Sequence, residues 1–147
     1  MDARRWDIYA DPFADKAAFD RYLLNTSGNL YAVAVSVLGP CDMDVVKRLG
    51  AAFGFTQFMQ AIPALQNAGK RPLDDGRSET IATRATEVQR TLPLRRQIAK
   101  PSQWALLSGY QAEWIIKQVV KHPERVIDRI GDPTPLMDRY LFIKARF

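Results

Sequence analysis

The most continuous apolar pattern in the chain runs from Val45 to about Ala68. Val45, Val46, Leu49, Ala52, Phe53, Phe55, Phe58, Met59, Ile62 and Leu65 cover most of a helical circumference, which predicts a central, buried helix. No charged residue falls between Arg48 and Lys70. Asp42 or Asp44 is placed to cap its start. Pro63 lies inside it and should kink the helix or end its regular part. Gly50 and Gly54 share one face. Each costs a soluble helix about 1 kcal/mol relative to Ala, so the pair implies that a neighbouring helix or a ligand approaches closely.

The flanking pattern is also helical. Residues 1–15 form an approach segment, with a turn at Asp11-Pro12 and Asp15 as N-cap. From Lys16 to Leu38, the residues Phe19, Tyr22, Leu23, Leu30, Val33, Val37 and Leu38 recur near a 3.6 period. Its second half, LYAVAVSVL, alternates like a strand, but the apolar face continues from Phe19 without a break, which favours helix. Gly39-Pro40 stops it. After a polar loop over 67–77, a capped and largely polar helix is expected from Ser78 to about Lys100, interrupted by Pro93. Another is expected from Gln103 to Lys121, with Trp104, Leu107, Tyr110, Trp114, Ile115 and Val119 as a core stripe, ending at His122-Pro123. A short helix, Leu136 to Phe147, offers Leu141, Phe142 and Phe147 for packing. The expectation is one all-α domain over 1–147, with four substantial helices on short loops.

Composition narrows the function classes. The chain has 147 residues, 47% of them hydrophobic, enough for a sizeable core. Cys41 is the only cysteine, so no internal disulfide can form. With His122 the only histidine, a zinc site of the usual kind is excluded, and no motif supports a Ser-His-Asp site. The 21 basic and 16 acidic residues leave +5, a mild balance that suits an ordinary solvated surface. It is also compatible with an anionic membrane or an acidic partner. The basic residues are scattered and match no nucleic-acid motif, so no nucleic-acid partner is expected. No apolar run reaches the ~20 residues needed to span a bilayer. The N-terminal residues MDARRWDIYADP lack the apolar core of a signal peptide. The expected location is cytoplasmic, with at most peripheral membrane contact.

Two stretches carry a resemblance. LGAAFGFTQFMQAIPALQNAGKRPL resembles the second signature of the squalene/phytoene synthase family, with Leu49, Gly50, Ala52, Thr56, Gly69 and Leu73 at matching positions. The Trp6 to Gly39 stretch is similar to the family's Y-x-x-x-T-A-G-S-L helix ending in L-G, through Tyr22, Thr26, Gly28, Leu30, Leu38 and Gly39. The Trp104 to Lys121 stretch is similar to a late family helix, with weaker identity. The resemblance covers nearly the whole chain but only the later half to two-thirds of a family domain. It implies a partial isoprenoid-synthase-type helical bundle lacking the N-terminal helices.

Family enzymes condense two isoprenoid diphosphates through Mg²⁺ ions bridging two aspartate-rich motifs. That chemistry needs hard carboxylate ligands one helical turn apart. Here the matching positions are Ala61 and Leu65, which cannot bind a metal. The family's glutamine, asparagine and arginine positions are Gly54, Gln57 and Gln60. Other D-x-x-x-D spacings, Asp7/Asp11, Asp11/Asp15 and Asp128/Asp132, read as loop and cap acids. Ala61 and Pro63 match a non-catalytic branch that includes the phytoene-synthase-like mitochondrial complex I assembly factor.

The resemblance therefore implies a binding or assembly-type factor without catalytic residues, metal or cofactor. Its pocket candidates are Tyr22, Thr26, Gly28, Phe53, Gly54, Gln57, Phe58 and Ala61. The partners it implies are an isoprenoid or other lipid, and a protein partner or second copy on the face left open by missing helices. The alternative is a Mg²⁺-dependent prenyltransferase acting with a chain that supplies the missing aspartate-rich motif.

Overall fold

Helix α3, Met43–Asn67, is the axis of the molecule. In the computed structural model, which describes residues 2–8, 11–92 and 98–146, the chain is all-α, with no strand among the described residues. Helices α1 (Lys16–Leu23) and α2 (Asn29–Ser36) precede α3. Helices α4 (Ser78–Thr91), α5 (Ala112–Lys121), α6 (Arg125–Asp128) and α7 (Pro135–Arg146) follow it. Tight 3-10 segments cover Asp2–Ile8 and Pro101–Gly109.

Both ends of α3 have chemical causes. Asp42 Oδ1 accepts from the backbone N–H of Asp44 at 3.0 Å and of Val45 at 3.2 Å, satisfying donors of the first turn. At the other end Gly69 adopts φ 77°, and the N–H groups of Gly69 and Lys70 bond the carbonyls of Gln66 and Leu65. That is a Schellman stop, whose left-handed position favours glycine. Pro63 does not end the helix. Met59 and Ile62 beside it are essentially fully buried, so packing holds this turn helical against the lost bond.

The stretch from Lys16 is helical through its second half, as its apolar face indicated. It ends at Ser36, and a π-helical turn at Leu24–Gly28 joins α1 to α2. The rod crosses α3 at very short range. A Cβ on Gly54 would lie 2.5 Å from Ser27 Oγ, and one on Gly50 would lie 2.8 Å from Tyr31 Cβ. The two glycines are thus explained by a neighbouring helix rather than by a ligand.

The core has two parts. One gathers Phe13, Phe19, Leu23, Phe55, Phe58, Met59, Ile62, Ile115 and Ile116; the other gathers Tyr31, Val35, Val46, Leu49, Phe53 and Leu106.

Three expectations are corrected. The helix starting at Ser78 ends at Thr91, because Leu92 is extended ahead of Pro93. Its predicted continuation across 93–97 lies outside the described residues. Ser78 is the first helical residue rather than a cap, and Arg77 at the N-cap makes no side-chain cap bond. The third correction concerns the helix expected from Gln103 to Lys121, which divides into the Pro101–Gly109 segment and α5. Three residues per turn align Trp104, Leu107 and Tyr110 on one face, but that face turns outward, leaving Trp104 58% exposed. Leu106 fills the core from this segment, and in α5 Ile115 and Val119 are buried as expected, with Ile116 beside them. In α7, Leu141 is partly buried and Phe142 is exposed, while Phe147 lies outside the described residues. No helix among the described residues is long and apolar enough to cross a membrane.

Candidate functional site

One cleft, of about 250 Å³, lies between the α1 to π rod and α3. Its walls follow from helical spacing. Tyr22 and Thr26 are four apart on the rod, while Gly54, Gln57, Phe58, Ala61 and Leu65 recur along one flank of α3. The structure therefore brings together Tyr22, Thr26, Gly54, Gln57, Phe58 and Ala61, with Leu65 at the position of the second family aspartate. Gly28 and Phe53 lie elsewhere. A Cβ on Gly28 would stand 2.8 Å from the Lys47 carbonyl, so this glycine serves the helix crossing. Phe53 is one residue, or about 100° of helix, from Gly54. It packs edge-on against Tyr31 at 5.1 Å in the second part of the core.

The cleft is closed from outside by the Asp2–Ile8 segment, which contributes Arg4, Trp6 and Asp7. Trp6 stacks on Phe13 at 4.4 Å between ring centres and lies 5.6 Å from Phe58 and 5.8 Å from Tyr22. Its indole Nε1 donates to the Asp11 carbonyl at 2.9 Å, and Lys70 Nζ sits 5.2 Å from its ring centre. Lys70 Nζ also donates to the Asp7 carbonyl. This segment was expected only as an approach to the first helix. The strap contacts span residues far apart in the chain, so local pattern does not reveal them. The one available signal was an aromatic residue, Trp6, among charged residues.

Asp7 was expected as a loop acid. Its Oδ1 accepts the Tyr22 hydroxyl at 2.7 Å, and its Oδ2 stands 3.9 Å from Arg4 Nη1. Burial pushes the Tyr22 phenol well above its ordinary value, and the hydrogen bond and negative charge of Asp7 add to that shift. Tyr22 therefore stays protonated as a donor. Thr26 Oγ1 donates to the Tyr22 carbonyl at 2.7 Å, so its hydroxyl is spent on its own helix.

Magnesium bridging a diphosphate needs several hard oxygen ligands facing one point. Asp7 is the only carboxylate lining the cleft among the described residues, and it is already held by Tyr22 and Arg4. Ala61 and Leu65 offer no oxygen beyond the backbone. The residues present do not fit that ion, and no catalytic step is derived through it. What the arrangement offers is an aromatic and aliphatic wall, a fixed phenol, and Gln57 exposed at the rim. Comparison with known protein families, with curated proteins and with solved structures returns no match for the chain.

Proposed function

We propose that the chain is a squalene/phytoene synthase-like protein that binds an apolar ligand of isoprenoid or other lipid type in the α1–α3 cleft, without condensing it. It then acts as a binding or assembly-type factor rather than a synthase. The observation that carries this reading is the shared cleft itself. Six residues matching pocket positions of that family, Ala61 at its first aspartate position among them, and Leu65 at its second line one recess whose sole carboxylate among the described residues is bound to a phenol. Carboxylates would be needed to hold metal and neutralise a leaving diphosphate. Apolar walls are what a hydrocarbon chain needs.

The recess is smaller than the about 300–1,000 Å³ usual for ligand pockets. A prenyl chain therefore enters by displacing the Trp6 strap, which makes Trp6 the reporter. Farnesol, an isoprenoid with no diphosphate, is expected to change the tryptophan emission of the wild type, and the change is expected to disappear in Trp6→Phe. A response unchanged in that variant places the ligand elsewhere and overturns the assignment to this cleft. In parallel, farnesyl diphosphate with Mg²⁺ is expected to release no diphosphate above the protein-free rate. Release that EDTA abolishes would overturn the non-catalytic reading.

A further inference from the structure

On the opposite side of α1, a second recess runs between α1, α3 and α4. Its floor is apolar: Phe19, Leu23, Ala52 and Phe55 are buried, and Val88 is half-buried beside them. This chamber holds about 350 Å³. It shares Lys16, Arg84 and Glu87 with an adjoining polar chamber of about 400 Å³, whose other walls include Arg77, Thr80 and Thr83. The two form one groove with a greasy end and a polar end, and Arg84 stands at the junction.

Arg84 is unusual in being a charged residue only 8% exposed. Its guanidinium lies 6.0 Å from the centre of the Phe19 ring, and its Nη2 donates to Asp74 Oδ2 at 2.8 Å. Its Nη1 is buried and has no hydrogen-bond partner among the described residues. A buried charged donor left unmatched is costly and rare in folded proteins. The other cations of the polar end are already engaged. Lys16 Nζ stands 2.8 Å from Asp20 and 3.2 Å from Glu87, and Arg77 Nη2 lies 2.7 Å from Asp75. At the far end Arg48 faces the apolar chamber and forms no ion pair among the described residues.

We propose that this groove binds a single-tailed fatty carboxylate, its tail on the Phe19–Phe55 floor and its head at the Arg84 guanidinium, which turns its buried Nη1 toward the ligand. A carboxylate oxygen accepts a charge-assisted hydrogen bond from a guanidinium nitrogen. The unspent donor capacity at the junction is that of one nitrogen, which suits a monoanion. Asp20, Glu79 and Glu87 line the same walls and repel a more highly charged head. The site is separate from the α1–α3 cleft and does not depend on how that cleft is used.

The test is calorimetric titration of the full chain with decanoate, with 1-decanol and acetate as tail-only and head-only probes. Decanoate is expected to bind at least about ten-fold more tightly than either. Arg84→Gln is expected to abolish that preference. Thr83→Glu, at an exposed position on the polar wall, adds a competing negative charge and is expected to weaken decanoate about ten-fold. If Arg84→Gln fails to fold, Thr83→Glu decides the matter. Trp6→Phe is expected to leave decanoate binding unchanged, which separates this groove from the cleft. Equal binding of decanoate and decanol, no decanoate binding, or an affinity indifferent to Thr83→Glu would each overturn the proposal.

Discussion

The two recesses on either side of α1 differ in what has become of their polar groups. In the cleft toward the Trp6 strap, the phenol, the carboxylate and the threonine hydroxyl are paired within the chain, while Gln57 stays exposed at the rim. Tyr22 holds Asp7, Thr26 holds a carbonyl, and Lys70 holds the strap backbone. In the groove toward α4, the guanidinium of Arg84 has one nitrogen unmatched among the described residues, under a buried apolar floor. The cleft lies at the positions that sequence resemblance singled out, yet its phenol and its carboxylate are spent on each other. The groove lies where no motif pointed, and it keeps unspent binding capacity. Motif position and available chemistry have separated in this molecule.

Leu23 lines both recesses, and Phe19 lines the groove and packs against the aromatic cluster behind the cleft. Its ring meets Phe58 at 4.9 Å and Phe13 at 5.1 Å on the cleft side, with the Arg84 guanidinium toward the groove. Phe19→Ala is the change with the largest expected effect, because it removes a side chain that is only 1% exposed and enlarges the groove toward the aromatic cluster around Phe58. The expected loss is about 3–5 kcal/mol of unfolding free energy, read from urea midpoints with an unchanged slope. A loss below about 1 kcal/mol would mean that the aromatic cluster closes over the gap, and Phe19 would not hold the groove open.

Removing the strap should cost less. Trp6→Ala deletes the stacking on Phe13 and the bond to the Asp11 carbonyl, but Trp6 is only half-buried. The expected cost is about 1–2 kcal/mol, with faster amide hydrogen exchange across residues 2–8 and at α1, and with exchange at α4 unchanged. Acceleration at α4 as well would show that the two sides of α1 are mechanically coupled and that the contrast between them is overdrawn.

Parts of this arrangement were legible in the sequence and parts were not, for identifiable reasons. Helix α3 was readable because its apolar residues cover its circumference and its stops are written locally, in Asp42 and Gly69. Gly50 and Gly54 signalled a close crossing, although a glycine pair cannot say what crosses. The π turn leaves no compositional mark, since LNTSG suits an α-helix as well. The strap depends on pairings such as residue 7 with 22 and 70, which only the folded path creates. Arg84 read as one charge on a polar helix. Its phase was the missed signal, because Ile81, Arg84, Ala85 and Val88 fall on one face. A cation in phase with three apolar residues is placed to be buried.

The smallest expected effect tests the polar closure of the cleft alone. Tyr22→Phe removes the hydroxyl that binds Asp7 while keeping the ring against Trp6 and Phe13. Asp7 is exposed, so solvent screens the bond and the expected cost near neutral pH is about 1 kcal/mol or less. The pH dependence distinguishes this bond from a packing change. Burial and Asp7 raise the phenol in the folded state above its ordinary value of 10.0, so the folded chain holds the proton after the unfolded chain has begun to lose it. That contribution is complete below the unfolded value and declines as the pH rises through and beyond it. Wild type and Tyr22→Phe should therefore converge in urea midpoint above pH about 10. Other tyrosines titrate in both proteins and cancel in the difference. A gap that stays constant from neutral to strongly alkaline pH would show that Tyr22 acts through its ring alone, and the polar closure of the cleft would fail as a description.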